Sequence, residues 1–190
     1  MKIHWHKSII ITLVGVLFLL GGCAVTQPAF YLASEFKPEF IGQITLLPAV
    51  DARIDKNVAV NLEDRLRGEA ATILKRKGYA VVLSGASRET AELTIDNLRA
   101  ADPALIKRFG PPGARWIMVL ALIDLNVVGN TNKAEMSGFL YDKEKGTLLW
   151  RDTAICLAGR GGVFGMFING GRGNIAISDT VNPLLASIPE

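Results

Sequence analysis

Few side chains in this 190-residue chain could carry bond-making chemistry. The only histidines are His4 and His6, and the only cysteines are Cys23 and Cys156. Asp51, Arg53, Asp55 and Lys56 stand close together, and paired carboxylates are common acid–base groups. Nothing in the spacing brings Asp51 within range of a facing acid, so a solvated loop is the expected state of that cluster. Gly159-Arg-Gly-Gly-Val-Phe-Gly-Met-Phe-Ile-Asn-Gly-Gly-Arg-Gly173 places seven glycines in fifteen residues. A phosphate-cradling loop is similarly rich in glycine, but no Gly-Lys-Ser/Thr follows and the dinucleotide spacing is missing. Two readings of the segment stay open. It is either an apolar contact surface for a partner or membrane, built on Phe164, Met166, Phe167 and Ile168 with Val163, or a connector that tucks those side chains onto a sheet. Trp116 and Trp150 could stack on a sugar, with core or sheet-edge packing the simpler expectation.

The amino terminus decides which of these groups persist. Lys2 and Lys7 give a positive start, and Ile9 to Leu20 is a twelve-residue apolar stretch. That length suits the core of a signal peptide and is short for a membrane-spanning helix. Leu20-Gly21-Gly22-Cys23 then resembles the lipobox of bacterial lipoproteins, with Gly21 where Ala or Ser is usual. The resemblance implies that the Cys23 thiol receives a diacylglycerol, that residues 1–22 are removed as a signal peptide, and that the new amine is acylated with a fatty acid such as palmitate. Several acyl chains anchor stably where one does not. Ala24 stands where an Asp would resemble an inner-membrane retention signal, so the expected location is the outer membrane, on its periplasmic face.

Maturation at Cys23 would leave no histidine, which excludes a Ser-His-Asp triad, a Cys-His pair and His-based metal sites. Cys156, alone in an apolar run, is expected to be a small buried residue with no disulfide partner. No metal, no cofactor and no catalytic residue is therefore expected. The whole chain has 21 Lys+Arg against 18 Asp+Glu, and loss of Lys2 and Lys7 brings the mature protein near neutrality. No basic run points to nucleic acid.

The chain after Cys23 divides into a tether, residues 23–40, and one domain, residues 41–190. The tether carries Pro28 and Pro38 and no sustained period. Ile44-Thr-Leu-Leu-Pro48 reads as a first strand that leaves the sheet near Asp51. Asn61 to Lys77 reads as a helix, with Leu62, Leu66, Ala70, Ile73 and Leu74 on one face, Asn61 as N-cap and Gly78 as the stop. Tyr79 to Leu83 is a second strand. Ser87 to Leu98 is a helix capped by Ser87, and Asp102-Pro103 opens another that ends at Phe109-Gly110. Arg115 to Val128 is a long strand whose core, Trp116 to Ile123, is nearly all apolar, as in strands covered on both faces. Lys133 to Tyr141 and Thr147 to Ala158 complete a meander around the loop Asp142 to Gly146. The expected class is α/β with a mixed sheet, in the order β-α-β-α-β-β-β, with a Gly-rich segment at 159–173.

Five strings in this order resemble the GNA-type putative lipoproteins and, more distantly, the curli-secretion channel lipoproteins and the TolB amino-terminal domain. They are Ile44-Thr-Leu-Leu-Pro48, Lys77-Gly78-Tyr79, Leu105-Ile-Lys-Arg-Phe-Gly110, Ser137-Gly-Phe-Leu-Tyr-Asp142 and Gly146-Thr-Leu-Leu-Trp150. The resemblance implies an anticodon-binding-like or TolB-N-like fold. It also implies an outer-membrane lipoprotein without catalytic activity, an assembly or accessory component of an envelope or secretion system. The partners implied are the membrane, through the anchor, and another envelope lipoprotein or a further copy of this chain. The alternative is a lipoprotein regulator that binds a cell-wall synthase, a role that needs a long tether. The tether here spans at most about 60 Å when stretched.

Overall fold

The computed structural model describes residues 24–26, 29–85, 93–128, 131–159 and 171–190. It is a mixed α/β fold. Eight strands form one sheet: β1 (Ala24–Thr26), β2 (Tyr31–Leu32), β3 (Gln43–Leu46), β4 (Val50–Asp51), β5 (Ala80–Leu83), β6 (Trp116–Val128), β7 (Thr131–Asp142) and β8 (Thr147–Gly159). Four helices accompany it: α1 (Glu69–Arg76), entered through a π-helical turn at Glu63–Gly68, then α2 (Ile95–Ala100), α3 (Pro103–Ile106) and α4 (Gly171–Ala186). Across the sheet the order is β1-β8-β7-β6-β3-β5. β3 lies parallel to both β5 and β6, while β6, β7 and β8 form an antiparallel meander.

β6 is the central strand that its apolar run predicts. Ile117 to Leu122 are all buried, and the alternation of the pleat sends them to two cores. Met118, Leu120 and Leu122 join Leu66, Leu74, Ile177, Val181 and Leu184 beneath α1 and α4. Ile117 and Val119 join Leu98, Ile106, Phe109, Phe139 and Tyr141 on the other face. Phe139 and Tyr141 stack there, and the Tyr141 hydroxyl donates to the Leu98 carbonyl at 2.6 Å. Burial raises the Tyr141 pKa, so the phenol stays a donor.

Local chemistry sets the element ends. Asn61 Oδ1 accepts from the Asp64 amide at 3.0 Å, as an N-cap should. Asp102 Oδ1 accepts from the Ala104 amide at 2.7 Å, with Pro103 in the first turn of α3. Gly146, at φ 71°, lies so close to α3 that a Cβ there would sit 2.9 Å from Pro103. That close approach fixes the hairpin loop, whose Gly146 amide donates to the Asp142 carbonyl at 2.8 Å.

Five expectations need correction. The segment after Cys23 is not wholly a tether, because β1 and β2 pair antiparallel with β8. An edge strand with free backbone groups offers a partner to any extended neighbour. Ala33 and Phe36 are buried as a result. The strand that ends at Pro48 does not leave the sheet for good, because β4 rejoins it beside Ala121 and Leu122 of β6. The second crossover helix begins at Ile95, where the Thr94 side chain accepts from the Asn97 amide, and Ser87 lies outside the described residues. The carboxyl terminus is a sixteen-residue helix, α4, which overlaps the end of the Gly-rich 159–173 segment. Cys156 is fully buried, as expected, but it is disulfide-bonded rather than without a partner. Val25 of β1 lies opposite it in the sheet.

Candidate functional site

The charged cluster at 51–56 is a structural clamp. Arg53 is buried, and its guanidinium grips both Asp51 carboxylate oxygens at 2.8 Å while also donating to the Val58 carbonyl. The Arg53 hydrogen bond holds the Asp51 pKa below its ordinary value. Lys56 donates to the Asp51 carbonyl, and Asp55 accepts from the Asn57 amide. Asp51 thus faces a cation, which leaves it ionised and unsuited to proton transfer. A second guanidinium, Arg67, is buried among the Leu46 and Ser84 carbonyls and the Glu63 carboxylate, filling the ends of β3 and β5. In open α/β sheets that is where ligands usually enter. Here side-chain hydrogen bonds close it.

Asp152 heads a second buried polar group. The Trp150 indole N–H donates to Ser187 Oγ at 3.0 Å, Ser187 donates to Asp152, and Asp152 also accepts from the Thr153 amide. This chain ties β8 to the end of α4. Among the described residues no histidine completes a proton relay, and no three His, Cys, Asp or Glu side chains gather as a metal site. Burial pushes the Asp152 pKa up, against the Ser187 and Thr153 hydrogen bonds. Asp179 is raised by burial and by Glu69. A carboxylate with a raised folded pKa binds protons more readily folded than unfolded, so the stability it contributes falls as pH rises through the window just above 3.8. Asp152→Asn should flatten that fall without removing the part due to Asp179. Denaturant midpoints between about pH 4 and about pH 7 test this, and parallel curves for variant and parent would place the dependence elsewhere.

The remaining candidates are contact sites. Cys23, Phe164, Met166, Phe167 and Ile168 lie outside the described residues. Their flanks, however, are placed. Val128 pairs with Thr131, Thr131 with Gly159, and Ala24 with Leu157. Ala24, Val128, Thr131 and Gly159 therefore share one end of the meander. At the other end lie Trp116, Asp142 and Thr147, about 40 Å away along β8 at roughly 3.3 Å per residue.

That second end holds a cleft of about 310 Å³, walled by Phe36, Phe40, Ile41, Trp116 and Leu149 and rimmed by Lys37, Arg115 and Lys145. The Arg115 guanidinium lies 4.3 Å over the Trp116 ring, and Lys37 Nζ lies 5.5 Å from the Phe40 centroid. Buried Asp142 accepts from the Glu144 and Lys145 amides and from Arg115. Sequence reasoning named Trp116 but did not join Phe36 and Phe40 to it, because residues 35–40 fall within the expected tether. Trp150 is fully buried core. Large apolar side chains are also exposed at both outer strands, Val82 and Leu83 on β5 and Phe30, Tyr31 and Leu32 on and beside β2.

No protein-family model matches the sequence, and no curated protein matches it closely. Solved structures do resemble the fold. The PelC dodecamer from Paraburkholderia phytofirmans is 13% identical, covers 88% of this chain and 99% of its own, and superposes with a TM-score of 0.50. Lipoprotein GNA1162 from Neisseria meningitidis is 17% identical over 66% of this chain and 91% of its own, with a TM-score of 0.43. The hypothetical protein CT253 from Chlamydia trachomatis is 12% identical over 76% and 94%, with a TM-score of 0.49. At these identities the likeness is one of fold: this chain shares a mixed α/β architecture with PelC.

Proposed function

We propose that this protein is a lipid-anchored, non-enzymatic component of an envelope or secretion assembly, held at the periplasmic face of the outer membrane and working as one copy among several. The observation that carries the reading is the polarity of the meander. The start of β1 and the Gly159 end of β8 share one end, so an anchor on Cys23 and an apolar stripe at Phe164, Met166, Phe167 and Ile168 would address the same membrane surface. The rest of the domain would then extend away from it. The exposed apolar side chains at both outer strands favour self-association, since an unpaired edge invites another chain. The likeness in fold to PelC, a dodecamer, supports the same reading. The finer resemblance to GNA-type lipoproteins and the TolB-N-like naming of the fold belong to this proposal too. The synthase-regulator alternative loses reach, because β1 and β2 tie much of the tether to β8.

Sedimentation of the full mature chain in detergent, with crosslinking in native envelopes, tests the proposal. A discrete oligomer supports it, and a monomer that captures only a cell-wall synthase overturns it. Phe164→Ser combined with Phe167→Ser should leave the thermal midpoint nearly unchanged while weakening binding to phospholipid vesicles. A large drop in midpoint with vesicle binding intact would assign the stripe to the core.

A further inference from the structure

We infer that the cleft at the Trp116 end of the sheet binds an anionic saccharide. Trp116 and Phe36 line it, with Arg115 stacked on the Trp116 ring and Phe40 standing 68% exposed at the rim. A core has no use for an aromatic ring held in water, while a sugar ring stacks its C–H face on one. The volume suits a small ligand rather than a folded partner. Charge then selects among saccharides. Asp142 is buried and already accepts two backbone amides and Arg115, so it presents little free negative charge to the cleft. The ion pairs of the described residues leave out Lys37 and Lys145, both of which line the cleft. Two acids of the lining oppose them, exposed Glu35 and the buried, hydrogen-bonded Asp142. The half-exposed Arg115 guanidinium keeps its contact to buried Asp142 and also reaches exposed Glu144 at 3.3 Å. The exposed Arg115–Glu144 pair is weak and can be exchanged for a ligand anion. Sugar carboxylates and sugar phosphates share this chemistry. The inference stands apart from the anchor, since the cleft lies at the opposite end of β8.

The test uses the full chain in detergent, with intrinsic tryptophan fluorescence and equilibrium dialysis. Trigalacturonate and glucose 1-phosphate are the anionic probes, and maltotriose is the neutral one. At least one anionic probe should bind about tenfold more tightly than maltotriose. Phe40→Ala, at an exposed rim position, and Lys37→Ala with Lys145→Ala should each weaken that binding by about tenfold without moving the thermal midpoint. Tighter binding of trigalacturonate assigns a uronic glycan, and tighter binding of the phosphate assigns a phosphorylated sugar. No saturable binding of either anion, equal binding of maltotriose, or binding indifferent to both variants would overturn the inference.

Discussion

Leu120→Ala should lower the unfolding free energy by about 2–5 kcal/mol, near the upper end of that range. Leu120 is 1% exposed on the central strand and faces the core beneath α1 and α4. Gly138 lies directly opposite it on β7. A Cβ at Gly138 would sit 2.7 Å from the Trp150 ring and 3.2 Å from Leu120 Cδ2. The glycine is the gap into which the indole fits, and Leu120 closes that gap from the other side. Trp150 is pinned in turn by its hydrogen bond to Ser187. Neighbours held this way cannot collapse into the hole left by truncation, so most of the cavity would persist. Leu66 is equally buried but sits in the π-helical turn before α1, where the backbone can adjust. Leu66→Ala should therefore fall lower in the same range. Denaturant unfolding of both variants decides the point, and losses below about 0.5 kcal/mol at both positions would mean that the core is held elsewhere.

Cys23→Ser should abolish incorporation of labelled fatty acid and leave an uncleaved precursor that does not fractionate with the outer membrane. Unchanged acylation and fractionation in that variant would sink the lipoprotein reading. The disulfide at Cys156 adds a second arm. A sulfur joined to another sulfur cannot also carry a diacylglyceryl thioether, so an anchored Cys23 cannot be the sulfur bonded to Cys156. In envelopes the acylated form should dominate. Maleimide counts on the mature chain before and after reduction test this, in denaturant because the Cys156 side chain is fully buried. A mature chain with no thiol before reduction and one pair after it would mean that the disulfide displaces the anchor.

Much of this protein was legible in its sequence. Trp116 to Ile123 declared a central strand because an apolar run of that length is best buried between two covering layers. The Leu66, Ala70, Ile73 and Leu74 face of the first helix, the Asp102-Pro103 helix start and the Asp142–Gly146 loop followed from period and local hydrogen-bonding chemistry. Three things were decided by tertiary structure alone. α4 repeats apolar residues at Ile177, Val181, Leu184 and Leu185, yet Gly171, Gly173 and Pro183 disguise it, since each disfavours a helix in isolation. Packing of that face against β6, β7 and β8 outweighs the propensity. The strands β1 and β2 carry no alternation long enough to read, and they exist because β8 offers an unsatisfied edge. The cleft draws Phe36 and Phe40 from the supposed tether, Arg115 and Trp116 from the start of β6 and Lys145 from a hairpin loop. Residues about a hundred positions apart become neighbours only when a sheet register sets them side by side, and register is a property of pairing between strands rather than of any one segment.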